Sequence, residues 1–231
     1  MRILKYFVIV IALICSVNSY AQVEEAQTGA WYMYFYNADF NNSQFGVQGD
    51  LQYRNWNLIG DLEQLLIRSG LTYRPKSTKV KFTLGYAHIT TGTPDESTDT
   101  TTESRIYQEA LLPQQIGNWV YITHRFRYEQ RFVESQDFRT RYRYNLFINI
   151  PFSGKKFEPK GTYFAFYNEL FINGQQDIGD GRTVELFDRN RTYLGFGYVI
   201  SKKLKAQFGW MNQKTNTWGK GQLQISLHHN F

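Results

Sequence analysis

The sequence predicts an all-β chain, folded as a transmembrane antiparallel up-and-down β-barrel of 12 (or 10) strands after a cleaved signal peptide. Three observations carry that expectation. The last residues alternate strictly, with Leu223, Ile225, Leu227, His229 and Phe231 on one side and Gln222, Gln224, Ser226, His228 and Asn230 on the other. Such period-two alternation marks a strand with a different solvent on each face. Mean hydropathy is −0.48, and no long apolar run follows the N-terminus, which excludes a bundle of membrane helices but suits a barrel whose strands are half polar. Aromatic content is 17%, with 17 Tyr and 18 Phe, as expected if rings line two membrane interfaces.

The elements follow in chain order. Arg2 and Lys5 precede a short apolar run from Phe7 to Cys15, and Ser19 with Tyr20-Ala21 forms a small-x-small cleavage site before Gln22. Residues 1–21 therefore read as a secretory signal peptide, leaving 22–231 as a single barrel domain. The net charge falls from +6 to +4 once Arg2 and Lys5 leave with the leader. Cys15 is the one cysteine, so the mature chain is expected to use neither disulfide nor thiol chemistry.

Strands are expected near 29–37, 44–54, 62–74, 79–90, 105–112, 118–132, 137–150, 161–172, 188–200, 203–213 and 221–231. The turns at Arg74 to Thr78, Pro113 to Gly117 and Ser201-Lys202 are tight. Those from Thr90 to Ser104, Asn173 to Glu185 and Lys214 to Lys220 are longer and polar. Counted back from a periplasmic C-terminus, the long connections fall on the outer side, the loop asymmetry of an outer-membrane barrel. Pro151 to Gly161 breaks that pattern on the inner side. Both ends of such a barrel normally lie in the periplasm, which requires an even count, so twelve or ten strands are expected rather than the eleven segments found. A terminal strand closing on Phe231 looks like the signal read by the barrel-assembly machinery.

The polar face carries the chemistry. Between Val120 and Arg131, the residues Val120, Ile122, His124, Phe126 and Tyr128 oppose Tyr121, Thr123, Arg125, Arg127, Glu129 and Arg131. The next strand sets Phe138, Tyr142, Tyr144, Leu146 and Ile148 against Arg139, Arg141, Arg143 and Asn145. An Arg facing acyl chains at the midplane costs roughly 2–4 kcal/mol, so these side chains should face the lumen. The same logic adds Arg54, Arg68, Arg105, Arg189 and Arg191, with Asp50, Glu109, Glu129 and Glu169 as acidic partners. A guanidinium fork can hold a carboxylate and still donate elsewhere. Gly70, Gly85, Gly195 and Gly197 fall on this inner face and leave room for long neighbours. Two states are open: an interior packed by its own ion pairs, or a passage that attracts anions.

The run His124-Arg125-Phe126-Arg127-Tyr128-Glu129-Gln130-Arg131, followed by Phe138-Arg139-Thr140-Arg141-Tyr142-Arg143-Tyr144, resembles an uncharacterised bacterial family, domain of unknown function 2490. Asn168-Glu169-Leu170-Phe171 and Phe187-Asp188-Arg189-Asn190-Arg191 look like further signatures of it. So does the region from Arg105 to Gln108, with Tyr107 where the family usually has Trp. The resemblance covers essentially the whole mature chain. It implies an outer-membrane barrel of a kind common in Bacteroidota, and it implies no activity and no catalytic residues.

Other chemistries find little support. His124, His88, Ser69 and Asn168 are the outward candidates for a lipid hydrolase, but they lie on separate strands without Ser-x-His spacing. Asp95, Glu96, Asp99, Asp177 and Asp180 follow no calcium-loop pattern, and no Cys/His metal spacing occurs. The arginines are assigned to the interior, so no basic outer stripe is left for nucleic acid. The expectation is an integral barrel of the bacterial outer membrane, without cofactor, that serves as a small anion-preferring channel or binding barrel. A plugged structural or partner-binding barrel and a lipid hydrolase are the alternatives. Outer-membrane lipid, the assembly machinery and small anions are the expected partners.

Overall fold

Alternating residues, rich in aromatic and β-branched types, make every regular element a strand. The computed structural model describes residues 27–41, 43–94, 98–152 and 157–231. The expected signal peptide, Cys15, Asp95 and Glu96 lie outside them. The strands are β1 (Gly29–Asp39), β2 (Phe45–Asn55), β3 (Leu62–Tyr73), β4 (Lys81–Gly92), β5 (Thr100–Ile116), β6 (Val120–Val133), β7 (Arg139–Pro151), β8 (Thr162–Asn173), β9 (Phe187–Val199), β10 (Leu204–Lys214) and β11 (Gly219–Asn230).

Each strand pairs antiparallel with the next, and the sheet closes where β1 runs parallel to β11, from Gly29 opposite Gln222 to Asn37 opposite Asn230. The wall therefore has eleven strands, not the twelve or ten expected. An even count is needed only where every neighbour is antiparallel. One parallel ladder, with its evenly spaced and slanted bonds, accommodates the odd strand. β1 thus enters at one rim and β11 leaves at the other. The row through Arg105, Ala87, Arg68 and Asp50 continues to Phe35, His228 and Lys205. It climbs from near one rim on β5 to near the other on β10, the steep strand tilt that closure requires.

The connections are more even than the sequence suggests. The stretch from Thr90 to Ser104 is mostly strand, since β4 runs to Gly92 and β5 begins at Thr100, and β5 continues through Pro113 to Ile116. Residues 174–186 form the longest connection on the rim where β1 starts. Residues 152–161 form the longest on the rim where β11 ends.

Side chains sort cleanly by face. Outward residues such as Leu71, Leu84, Phe126, Leu194 and Phe196 are exposed, while inward Gln222, Gln224 and Ser226 are buried beside exposed Ile225 and Leu227. The interior holds two apolar clusters. Trp31, Tyr163, Ala165, Tyr193, Val199 and Met211 form one, and Leu66, Ala87, Ile89 and Tyr107 the other. The space over Gly85, Gly195 and Gly197 is taken by tyrosine rings rather than by arginines, and that over Gly70 by Thr83. A Cβ on Gly85 would collide with the ring of Tyr107, and one on Gly197 with the ring of Tyr163.

Candidate functional site

The inward faces of β6 and β7 create an electrostatic problem that the rest of the wall resolves. Arg131 pairs across from Arg139 and Arg127 from Arg143, with Glu129 opposite Arg141. Like charges directly opposite destabilise a sheet, and carboxylates from neighbouring strands offset that repulsion for most of these guanidinium groups. Glu129 supplies the hub, with Arg143 at 2.5 Å, Arg141 at 2.7 Å, Arg105 at 3.7 Å and Arg127 at 3.8 Å. Glu109 takes Arg127 at 2.5 Å and Arg125 at 3.8 Å, and Glu169 takes Arg143 at 2.5 Å and Arg125 at 2.6 Å. Glu103 joins Arg131 at 2.5 Å to Arg105 at 2.6 Å, while Asp188 joins Arg141 at 2.8 Å to Arg189 at 3.1 Å. These contacts form one connected lattice from β5 to β9. Arg68 and Asp50 make a separate forked pair at 2.8 Å.

Three arginines, Arg54, Arg191 and Arg139, have no carboxylate within 4 Å among the described residues. Arg54 donates to Gln52 and Gln64, and Arg191 to Gln213. Both guanidinium groups lie over the ring of Trp31, at 3.8 and 4.7 Å from its centroid. The indole Nε1 of Trp31 donates to Glu63 at 2.8 Å. Arg139 is buried with its Nε unpartnered. Phe171 is a second aromatic platform, with Arg143, Arg191 and Arg141 at 4.4, 4.8 and 5.2 Å. A desolvated cation over a ring is worth about 2 kcal/mol, which offsets part of the missing ionic pairing.

Of the residues singled out from sequence, Arg54, Arg68, Arg105, Glu109, Arg127, Glu129, Arg131, Arg139, Arg141, Arg143, Glu169 and Arg191 are all buried in the barrel. Arg125 is half-buried. Arg189 lies at the rim, its side chain 26% exposed. Phe231 is exposed, its ring 4.1 Å from His229 and its N–H donating to Asn37 O.

Sequence reasoning missed three interior carboxylates. Glu103 fell within a stretch read as loop, although the alternation that places Arg105 inward reaches back to it. Glu63 turns inward through a register shift opposite Arg54 and Asn55, a bulge that no periodicity reveals. Asp188 neighbours an inward arginine and so has the wrong parity for its role.

The outward candidates stay apart. His124 Nδ1 is 2.8 Å from Tyr144 Oη, Ser69 accepts from Tyr36, and Asn168 bonds Asn190 and Thr192. His88 is exposed on β4. A Ser–His contact does occur on the inner face, Ser226 Oγ to His228 Nε2 at 3.0 Å, where the His228 ring stacks on Phe35. No carboxylate orients that ring among the described residues. In the connection 174–186, Asp177 accepts from Gly179 N and Asp180 pairs with Arg182. Among the described residues no three His, Cys, Asp or Glu side chains gather as for a metal ion.

A family model described as "Protein of unknown function (DUF2490)" matches residues 28–224. No curated protein and no solved structure matches the chain.

Proposed function

Because the chain belongs to the family described as Protein of unknown function (DUF2490), which brings a kinship but no activity, we propose its role from geometry alone. It is an integral outer-membrane β-barrel, held shut by its own arginine–carboxylate lattice, and it works through its rims and outer face rather than by conduction.

One observation carries this: the distribution of polarity is inside out. Apolar side chains such as Ile67, Leu84, Phe126, Leu194 and Phe208 stand exposed on strands all around the wall, while the arginines and their carboxylates are buried within it. Soluble monomers rarely expose a contiguous apolar patch above a few hundred Å². A hydrocarbon surround removes that cost, and it forbids charge on the outer face.

Burial supports the shut state. Asp50, Arg68, Ala87, Tyr107, Arg127, Asn145, Tyr193 and Gln224 come from eight different strands near mid-height, and each is 6% exposed or less. A standing water column would leave some of them wet. The anion-passage alternative draws on Arg54, Arg139 and Arg191, which lack carboxylates and could attract an anion if neighbouring rings moved.

Planar bilayers containing the full mature barrel test the choice. The expected record is silent at moderate voltage. Steady anion-selective current from the unmodified protein would replace the shut barrel with the channel. A mature chain freely soluble without detergent would remove the membrane assignment itself.

A further inference from the structure

The two rims differ in sign. Connections at the rim where β11 ends carry Arg74, Lys76, Lys79, Lys160, Lys202 and Lys203 against Glu158. Asp39 at this rim is already held by Arg74 at 3.0 Å. Connections at the opposite rim carry Asp61, Asp99, Glu134, Asp137, Asp177 and Asp180 against Arg182. Charge of one sign at each end gives the barrel a field directed along its axis.

Between the rims, on the outer face of β4 to β8, lies a groove of about 410 Å³. Its floor is Ala110, set in register between Phe82 and Phe126. Gln108, Tyr128, Tyr142, Tyr144, Leu170 and Ile172 complete the walls. The small alanine in a row of large rings creates the hollow. Toward the basic rim the apolar lining gives way to His124, whose two ring nitrogens lie 2.8 Å from Tyr144 Oη and 3.4 Å from Gln114 Oε1. Lys79 stands just before β4, three residues from Phe82 of the groove, whereas Lys160 precedes β8 at the same rim and Leu170 lies near that strand's other end.

The geometry points to a binding site for an anionic phospholipid, one acyl chain in the groove over Ala110 and its phosphate beside Lys79 and His124 at the basic rim. The inference rests on the membrane-embedded reading above. A carbon-lined slot of this volume falls in the range of ligand pockets, and on a lipid-facing wall the molecule that meets it is an acyl chain. The charge of the rims fixes which way that lipid points. A phosphate at the Asp137 end would meet carboxylates, and one at the Lys79 end meets ammonium groups. Because surface charge is screened within about 8 Å, Lys79 beside the Phe82 end of the groove matters more than the lysines elsewhere on the rim.

The test adds equal amounts of phosphatidylglycerol and phosphatidylcholine to the detergent-purified full mature chain and reads retained lipid by native mass spectrometry. The wild type should retain phosphatidylglycerol at least tenfold over phosphatidylcholine. Ala110→Trp, which fills the hollow, should reduce retention of both lipids, with Ala110→Leu as a milder filling should the Trp variant not fold. K76E with K79E should abolish the preference and leave phosphatidylcholine unchanged. Equal retention of the two lipids by the wild type overturns the site, as does undiminished phosphatidylglycerol on both Ala110 variants shown to be folded by heat-shifted gel mobility. A chain that needs detergent yet holds no phosphatidylglycerol defeats the lipid site alone. A chain soluble without detergent defeats the membrane reading instead.

Discussion

Glu129 shows how single residues carry this interior. It is 1% exposed and is the shared counter-ion of Arg105, Arg127, Arg141 and Arg143. Desolvating that many charges is costly, and the lattice persists because each guanidinium within it meets a carboxylate. Removing one partner strands the others. Glu129→Gln should therefore destabilise the barrel by about 3–5 kcal/mol, read as a lower denaturant midpoint for loss of heat-shifted gel mobility. An unchanged midpoint would mean the hub is not held as drawn. Steric fit matters equally at Gly85, where any Cβ meets the ring of Tyr107. Gly85→Ala should cost about 1–3 kcal/mol as overpacking, and less in a Tyr107→Leu background, so the cycle should be non-additive. Additive losses would show that ring and glycine are independent.

At the scale of strands, legibility followed regularity. The alternation on Val120–Arg131 and Arg139–Ile148 was plain, and both segments lie in the wall with the facing that their sequences imply. The start of β5 was not plain, because Thr100, Thr101 and Thr102 sit in a polar run that resembles a loop. They are strand because β4 pairs with them, and Glu134 accepts from Thr102 N at 2.9 Å. Glu63 was hidden by its bulge. Eleven segments were legible as strands, but the requirement for an even number overrode them, because alternation reports which face a residue takes and says nothing about the direction of a neighbouring strand. The parallel seam predicts a specific cross-link. Tyr34→Cys with Leu227→Cys, opposite each other on β1 and β11, should oxidise to a disulfide. Tyr34→Cys with Leu223→Cys should not, and the reverse result would mean the seam has another register.

Over the whole molecule, charge is segregated twice, inward across the wall and lengthwise between the rims. The inward segregation was readable from the arginine-bearing strands. The lengthwise one was not, because it needs each loop assigned to an end, and that assignment depends on the number and direction of strands. The odd wall has a further result for anyone attaching something to this protein. Thr28, just ahead of β1, and Asn230, at the close of β11, emerge on opposite ends. If the barrel spans a membrane as proposed, a membrane-impermeant maleimide added to intact cells should modify cysteine at one of these positions and spare the other. Tags placed beside Thr28 and beside Asn230 would, in that setting, sample two separate compartments, so a reporter at one rim is blind to what the other rim sees.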